Sequence, residues 1–164
     1  MMNLSAYQSG QLYTHYKVTK VVDGDGLIVS DIFSGNEIEI RLLGIDAPEI
    51  KKCKKLIQDE RELHLPGELL IELGRVSLLH LRSVLPVGTP VSFFTENKNT
   101  TDIYGRTLAY VFLPSGESVN ELLLQEGLVK PFNRYFCTQQ INYQLLHSKA
   151  RMEKKGHFAI VENF

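Results

Sequence analysis

The sequence predicts an α+β fold, in which a five-stranded OB-like Greek-key β-barrel carries three α-helices. Three observations predict it. Five short segments alternate apolar and polar residues or are rich in β-branched residues, as half-buried strands are. Three further segments have the apolar spacing or the capping residues of helices. The resulting order, β-β-β-α-β-β-α-α, separates the helices from the sheet and gives the strand count of an OB-type barrel.

The first three strands are expected to form a meander. Residues 16–22 (YKVTKVV) and 27–32 (LIVSDI) have strand character, and the DGDG sequence at 23–26 between them is typical of a tight turn. A second turn is predicted at 34–36 (SGN). Residues 37–43 (EIEIRLL) then alternate polar and apolar side chains, as a strand with one buried face does.

The middle of the chain is expected to contain a long loop and then a helix. Residues 50–65 are polar and irregular, and they include the basic run at 51–55 (KKCKK). Pro66 is a good first helical residue. The helix is expected to run to about residue 85, with one apolar face that contains Leu70, Leu73, Leu81 and Val84. Gly74 within it is expected to permit a close approach to the sheet.

Two more strands and a short helix follow. Residues 91–95 and 104–113 are predicted to be strands. Ser118 and Glu121 form a capping box, in which each side chain can bond to the other's backbone at a helix start. Gly127 lies where a left-handed residue commonly ends a helix, so a helix is predicted between Ser118 and Gly127.

The last helix is expected to be capped by Thr138 and to run to about Lys155. With it, the chain divides into an N-terminal extension at 1–15, one compact domain at 16–156 and a C-terminal tail at 157–164. A chain of 164 residues with 43% hydrophobic residues can bury a core of its own without a disulfide or a structural metal.

The charge balance excludes binding of a polyanion by bulk electrostatics. The net charge is −1, so any phosphate would have to be bound locally, by a few placed cations or a metal.

No run approaches the ~20 apolar residues that a membrane span needs, and no signal peptide is expected at the N-terminus. A cytoplasmic location and export with the leader removed both remain open. Cys53 and Cys137 fit no zinc motif and are expected to be free thiols, although a bond between them would suit an exported protein.

A set of charged residues gathers at the ends of the first strands. Asp23 and Asp25 occupy the first turn, and Asp46 and Glu49 follow the third strand. Carboxylates without histidine or cysteine beside them suit a hard cation such as Ca²⁺ or Mg²⁺. Arginines suit phosphate, because the guanidinium fork can bind two of its oxygens, and the chain places Arg41 and Arg106 near the same elements. These are the parts needed for metal-assisted phosphodiester hydrolysis, although each motif alone is typical of an ordinary turn.

Four motifs in one order carry a resemblance to a known family. They are VDGD at 22–25, IRLLGIDAPE at 40–49, DIYGRTLAY at 102–110 and VNELLLQEGL at 119–128. In order and spacing the chain resembles the staphylococcal nuclease (thermonuclease) family from about residue 16 to residue 156. That family is an OB-like five-stranded barrel with three helices, which agrees with the elements predicted above.

The resemblance implies a role for eight residues. Two carboxylates and one backbone carbonyl would bind Ca²⁺, one carboxylate would orient or activate water, two arginines would bind phosphate and two tyrosines would contact substrate. In the same order these are Asp25 and Asp46, Ala47, Glu49, Arg41 and Arg106, and Tyr104 and Tyr135. The implied activity is Ca²⁺-dependent cleavage of DNA and/or RNA that leaves 3′-phosphates. A monomer is the default expectation for the oligomeric state, which stays open.

Two alternatives stay open at this point. A catalytically inactive relative of the same fold would serve as a nucleic-acid or protein-binding module, but it would be expected to lose site residues, and all five charged ones are present here. The lysine run at 51–55 either grips the nucleic-acid backbone beside the site or belongs to a solvated loop. The five histidines form no ligand motif and are interpreted as structural or surface residues.

Overall fold

The computed structural model describes Tyr7 and residues 9–164 of the chain, and its elements alternate between a barrel and a helical layer. The strands are β1 (Gly10–Asp23), β2 (Gly26–Asp31), β3 (Glu37–Leu42), β4 (Ile45–Asp46), β5 (Pro90–Glu96), β6 (Thr107–Phe112) and β7 (Lys130–Pro131). The helices are α1 (Lys54–Leu63), α2 (Gly67–Val84), α3 (Val119–Gln125) and α4 (Gln140–Met152), followed by a 3-10 turn (Gly156–Ala159).

Five strands close into a barrel in the order β1-β2-β3-β6-β5, and β5 pairs back with β1. All neighbours are antiparallel except β3 and β6, which run parallel with Arg41 opposite Leu108. The short strands β4 and β7 form a separate pair beside the barrel. The prediction of an α+β fold with a five-stranded barrel is therefore confirmed, with four helices rather than three.

Strand β1 is long enough to serve two neighbours. Its first half pairs with β5, and its second half pairs with β2. The register shifts between Tyr13 and Tyr16, and a bulge of this kind bends a strand, as a closing barrel requires. Residues 10–15, expected to lie in an extension, thus form the start of β1, while residues 1–6 and Gln8 of that expected extension lie outside the described part of the chain.

The prediction of a long loop at 50–65 is wrong, because most of this segment forms α1. The helix starts where the Cys53 thiol accepts a hydrogen bond from the Leu56 backbone N–H, and it ends at His64 in the left-handed conformation. Its apolar stripe is thin, since Leu56 is its one buried residue. Contacts with α2 and the C-terminal segment supply the stability that the polar sequence of α1 lacks.

Helix α4 also begins later than expected. Its N-cap is Gln139, not Thr138, because the Thr138 hydroxyl is already used as a donor to the buried Glu96 carboxylate. Strand β6, predicted to begin at residue 104, begins at Thr107. Residues 104–106 instead form a turn in which Gly105 has φ +81°. The capping of α3 by Ser118 is confirmed, with a bond of 3.2 Å from the Glu121 N–H.

Two hydrophobic clusters hold the layers together. The larger one fills the barrel and receives residues of α3, and Tyr110 and Tyr143 are fully buried there. The smaller one joins α1 and α2 to the C-terminal segment, where Phe158 and Phe164 are buried. Residues 157–164, expected to be a tail, therefore pack against helices. In the part of the chain that the structure describes, no helix combines the length and apolarity that crossing a membrane requires.

Candidate active site

One cleft of about 790 Å³ brings the predicted site residues together. It opens where the β1–β2 turn, the segment after β3, helix α1 and the turn before β6 meet. The residues predicted to bind metal, water, phosphate and substrate all line it, and these are Asp25, Arg41, Asp46, Ala47, Glu49, Tyr104, Arg106 and Tyr135. Seven of them lie in three separate sequence motifs and Tyr135 lies outside the motifs, and the barrel brings all eight to one concave surface.

Asp25 is held at the base of the cleft by backbone groups. The turn between β1 and β2 buries its side chain, and its Oδ2 accepts a hydrogen bond of 2.8 Å from the Ala47 N–H. Its own carbonyl accepts from the Leu42 N–H at 2.9 Å. Burial raises the pKa of Asp25 to about 6, although the Arg41 guanidinium opposes the rise. A carboxylate in this state is stabilised by any additional positive charge that enters the cleft.

Arg41 lies between two carboxylates and is fixed by the backbone. Its Nη2 is 3.4 Å from Asp25 Oδ2 and 3.2 Å from Asp46 Oδ1. Its Nη1 donates to the carbonyls of Leu42 and Ile45 at 3.0 Å and 2.8 Å. Burial alone would lower the pKa of Arg41, but the two carboxylates hold it above its ordinary value. The guanidinium is therefore a fixed, permanent positive charge.

Glu49 points into the open part of the cleft and contacts a lysine. Its Oε1 is 3.2 Å from the Nζ of Lys55, which also lies 2.6 Å from Asp46 Oδ2. Burial raises the pKa of Glu49, while Lys55 acts in the opposite direction. Burial opposes the charge of Lys55, but Asp46 and Glu49 raise its pKa, so that it remains a cation.

Arg106 is oriented by Asp102 from the same turn. Its Nε donates to Asp102 Oδ2 at 2.8 Å, while Asp102 Oδ1 accepts from the backbone N–H groups of Tyr104 and Arg106, each at 2.9 Å. Burial would raise the pKa of Asp102, but the hydrogen bonds from Arg106 hold it below its usual value. Arg106 lines the cleft, so its terminal nitrogens are potential donors to an anion there.

The two tyrosines lie at the mouth of the cleft. Tyr104 is 78% exposed, and its ring lies 5.7 Å from the Arg106 guanidinium carbon. Tyr135 is half-buried, and its hydroxyl accepts from the Ile103 N–H at 3.1 Å. The exposed ring of Tyr104 is available to stack on a base, whereas Tyr135 also ties the segment after β7 to the turn before β6.

Helix α2 supports the backbone of the site from below. A side chain at Gly74 would lie 2.5 Å from the Pro48 carbonyl oxygen and 2.8 Å from that of Glu49. A side chain at Gly24 would lie 2.7 Å from the Ala47 Cβ. The close approach expected at Gly74 therefore exists, but it is to the site segment and not to the sheet.

Sequence reasoning missed three neighbours of these residues. Lys55 was interpreted only as one of a basic run, and the (i, i+4) pair that it forms with Asp59 becomes visible once α1 is known to be helical. Asp102 was part of a quoted motif but received no role. Phe132, whose ring centre is 5.5 Å from the Arg41 guanidinium carbon, carries no pattern that would have revealed it.

The carboxylates suit a cation with few protein ligands. Within Tyr7 and residues 9–164, no three His, Cys, Asp or Glu side chains are grouped as a complete metal site. Asp25 and Asp46 instead both lie within 3.4 Å of one Arg41 nitrogen, beside the Ala47 backbone. Such a site fits a hard ion that completes its shell with carbonyl oxygen, water and substrate.

Comparison with known proteins agrees with this geometry. Residues 39–159 match the model of the staphylococcal nuclease homologue family. An uncharacterized endonuclease of Escherichia coli O157:H7 is 29% identical over 143 residues, which cover 87% of this chain and 75% of the relative. A thermonuclease of Staphylococcus hyicus is 32% identical over 127 residues, covering 70% of this chain and 57% of the relative. Endonuclease YhcR of Bacillus subtilis is 28% identical over 143 residues, only 11% of its own length.

The fold and the cleft define a barrel protein with an acidic, arginine-flanked site. The family match covers most of the chain, from β3 to the 3-10 turn. The chain belongs to the staphylococcal nuclease family.

Proposed function

We propose that this protein is a Ca²⁺-dependent nuclease that hydrolyses the phosphodiester backbone of DNA and/or RNA and leaves 3′-phosphates. The observation that carries the proposal is the single cleft in which two buried carboxylates, a further carboxylate and two arginines converge. Relatives named endonuclease and thermonuclease support the same reaction class. A near-neutral chain can still bind a polyanion there, because Arg41 and Arg106 both line the cleft.

The residues present fit a divalent cation. Burial and the raised pKa of Asp25 indicate a carboxylate that lacks enough positive charge, and the Lys55 ammonium already lies against Asp46 as a cation does. Asp25, Asp46 and the Ala47 carbonyl would hold the ion. When bound, it would neutralise charge on a phosphate oxygen and lower the pKa of water.

The two arginines would both bind the phosphate, but their side chains are held to different degrees. Arg41 is fixed by two backbone carbonyls and two carboxylates, so it offers a preorganised charge. Arg106 is held by Asp102 through its Nε and lines the same cleft. Both would bind the phosphate more strongly as it gains negative charge towards the transition state, which is the condition for accelerating the reaction.

Glu49 would orient or deprotonate the attacking water. Its side chain is 33% exposed, more than that of Asp25 or Asp46, so water can reach it. Its raised pKa makes it a stronger base than an ordinary glutamate, and general-base assistance of this kind is typically worth ~10²–10⁴-fold. Tyr104 and Tyr135 would contact the nucleotide at the mouth of the cleft.

Digestion of single-stranded DNA tests the proposal. Wild-type protein should cleave with Ca²⁺ and not with EDTA, and Glu49→Ser should remove nearly all cleavage with Ca²⁺. Glu72→Ser, which removes an exposed carboxylate from α2, is the matched control and should retain wild-type activity. End-labelled products should carry 3′-phosphates, detected by their resistance to extension until a phosphatase is added.

The competing function is a catalytically inactive binding module of the same fold. It would be favoured if folded wild-type protein failed to cleave DNA and RNA with Ca²⁺, Mg²⁺ and Mn²⁺ while still retaining a labelled strand in a binding assay. Products with 3′-hydroxyl ends would keep the nuclease but overturn the proposed position of bond cleavage.

A further inference from the structure

Lys55, which the sequence analysis placed in a loop, lies among three carboxylates. Its Nζ is 2.6 Å from Asp46 Oδ2, 3.2 Å from Glu49 Oε1 and 3.8 Å from Asp59 Oδ2. The first of these carboxylates belongs to the proposed metal ligands and the second to the proposed water-activating group. The ammonium therefore lies within the group of residues on which the proposed reaction depends.

Both oxygens of Asp46 are engaged by cations of the chain. Arg41 takes Oδ1 at 3.2 Å, and Lys55 takes Oδ2. Arg41 cannot leave without breaking its bonds to the Leu42 and Ile45 carbonyls in a buried site. The Lys55 side chain is 35% exposed, and its ammonium lies at the end of a flexible alkyl chain. Lys55 is therefore the cation that can move.

The helix that carries Lys55 is fixed, and only the side chain is free to respond. Leu56, the next residue, is buried against α2, and the Cys53 thiol caps the first turn of α1. Asp59, one turn further along the same helix, provides a second carboxylate for the ammonium. The lysine can therefore leave Asp46 without losing every ionic partner.

We propose that Lys55 is a built-in competitor for the divalent cation: its ammonium neutralises Asp46 and Glu49 in the metal-free protein and must be displaced from Asp46 when the metal binds. Lys55 thereby sets the metal affinity of the cleft. The inference rests on the proposed function, because it takes Asp46 as a metal ligand. It predicts a weaker metal site than the same carboxylates would form without the lysine.

Calorimetric titration with Ca²⁺ alone tests the proposal without any activity measurement. Lys55→Met keeps the apolar stem and removes the charge, and it should bind Ca²⁺ on the order of tenfold more tightly, because one positive charge near the ion is lost. Lys55→Arg should stay close to wild type. Lys52→Met, which removes an exposed lysine two residues before α1, is the matched control and should change the affinity by less than twofold.

Thermal unfolding supplies a second readout. Lys55→Met should melt at a lower temperature than wild type in EDTA and should gain more from Ca²⁺, since Ca²⁺ then restores charge that the variant lacks. If Lys55→Met does not fold, Lys55→Gln gives the same comparison.

Affinity of Lys55→Met equal to that of Lys52→Met, or weaker than wild type, would overturn the inference. So would an absence of Ca²⁺ binding by every variant. Tighter binding by Lys55→Met, in a protein that cleaves no nucleic acid with any metal, would instead uphold the inference and defeat only the nuclease proposal.

Discussion

Two buried acidic regions of this protein solve the same problem in different ways. In the cleft, Asp25 and Asp46 are paired with the cations of Arg41 and Lys55. On another side of the barrel Glu96 is 2% exposed, yet its Oε1 accepts only from neutral donors, which are the Tyr110 hydroxyl and the Thr138 backbone and hydroxyl. Among the described residues its Oε2 has no partner at all.

The difference separates function from structure. Neutral donors fixed in strands and a helix start hold Glu96 in one place, and they join β5, β6 and the segment before α4. In the cleft, the mobile Lys55 ammonium leaves Asp46 able to exchange one cation for another. A buried acid satisfied by neutral groups is therefore expected to matter for stability, and one satisfied by exchangeable cations is expected to matter for binding and reaction.

The largest expected effect is that of Asp25→Asn, which should lower cleavage on the order of 10³-fold by removing a proposed metal ligand. The same change should make the metal-free protein more stable at pH 8 by about 1–2 kcal/mol. The physical reason is that the pKa of Asp25 is raised by burial to about 6 from 3.8, so its ionised form is costly in the folded state. Cleavage assays and urea unfolding in EDTA measure the two effects.

The sign of that stability change follows from the direction of the shift. A carboxyl with a raised folded pKa contributes most below the unfolded value of 3.8, and the contribution is lost as the pH rises through about 6. The advantage of Asp25→Asn should therefore shrink towards pH 4. A variant less stable than wild type at pH 8 would show that the Arg41 pair outweighs burial.

The next effect is that of Glu96→Ala, which should affect stability and not activity. It should lower the free energy of unfolding by about 3 kcal/mol and leave kcat nearly unchanged at a temperature where the variant is folded. The loss arises because three hydrogen bonds to a charged acceptor disappear and buried donors are left unpaired. Denaturant unfolding and cleavage assays at low temperature provide the measurement. A strong loss of kcat in the folded variant would remove the distinction between the two regions.

A buried histidine extends the comparison to a base held by neutral groups. His157 is 1% exposed, its Nε2 is 2.7 Å from the Ser77 hydroxyl, and burial lowers its pKa to about 4. Its stability contribution is complete above the unfolded pKa of 6.5 and is lost as the pH falls towards 4, by up to about 3 kcal/mol. Unfolding measured in the Asp25→Asn background avoids the opposite titration of Asp25.

His157→Gln in that background should unfold with a flatter pH dependence between pH 7 and pH 4. Equal slopes with and without the histidine would mean that His157 accepts a proton in the folded protein without penalty.

The smallest expected effect is that of Gly74→Ala, at the contact between α2 and the site segment. Gly74→Ala should favour α2 by about 1 kcal/mol in helix propensity, but its methyl group would lie 2.5 Å from the Pro48 carbonyl oxygen and must push the site segment away. We expect cleavage to fall about tenfold through displacement of Glu49, with little change in Ca²⁺ affinity. Full activity would show that the segment can shift without moving the Glu49 carboxylate.

Local patterns were sufficient to predict the barrel strands and the charged cleft residues. Alternation revealed the strands, and the motifs at 22–25, 40–49 and 102–110 contain seven of the eight cleft residues. Ala47, Tyr104 and Tyr135 received their expected roles only from the resemblance to the family. What the motifs could not provide is the meeting of distant segments, which the parallel pairing of β3 with β6 brings about.

The wrong predictions share a physical cause, which is tertiary contact that overrides local preference. Helix α1 is polar and has an unusual cysteine cap, so its stability comes from α2 and the C-terminal segment. Thr138 has the character of a helix cap but bonds to Glu96, which is 42 residues away. No local pattern could have revealed either partner.

The division of β1 between two neighbours has a consequence for synthesis on the ribosome. The meander of β1, β2 and β3 is synthesised before the other barrel strands. The first half of β1 (residues 10–17), which pairs with β5, and the outer side of β3 are then both unpaired. Their partners, β5 and β6, begin at Pro90 and Thr107, so both edges stay open while α1 and α2 are translated. Nascent chains of this fold are thus most vulnerable to strand-to-strand association in that interval, before the barrel closes.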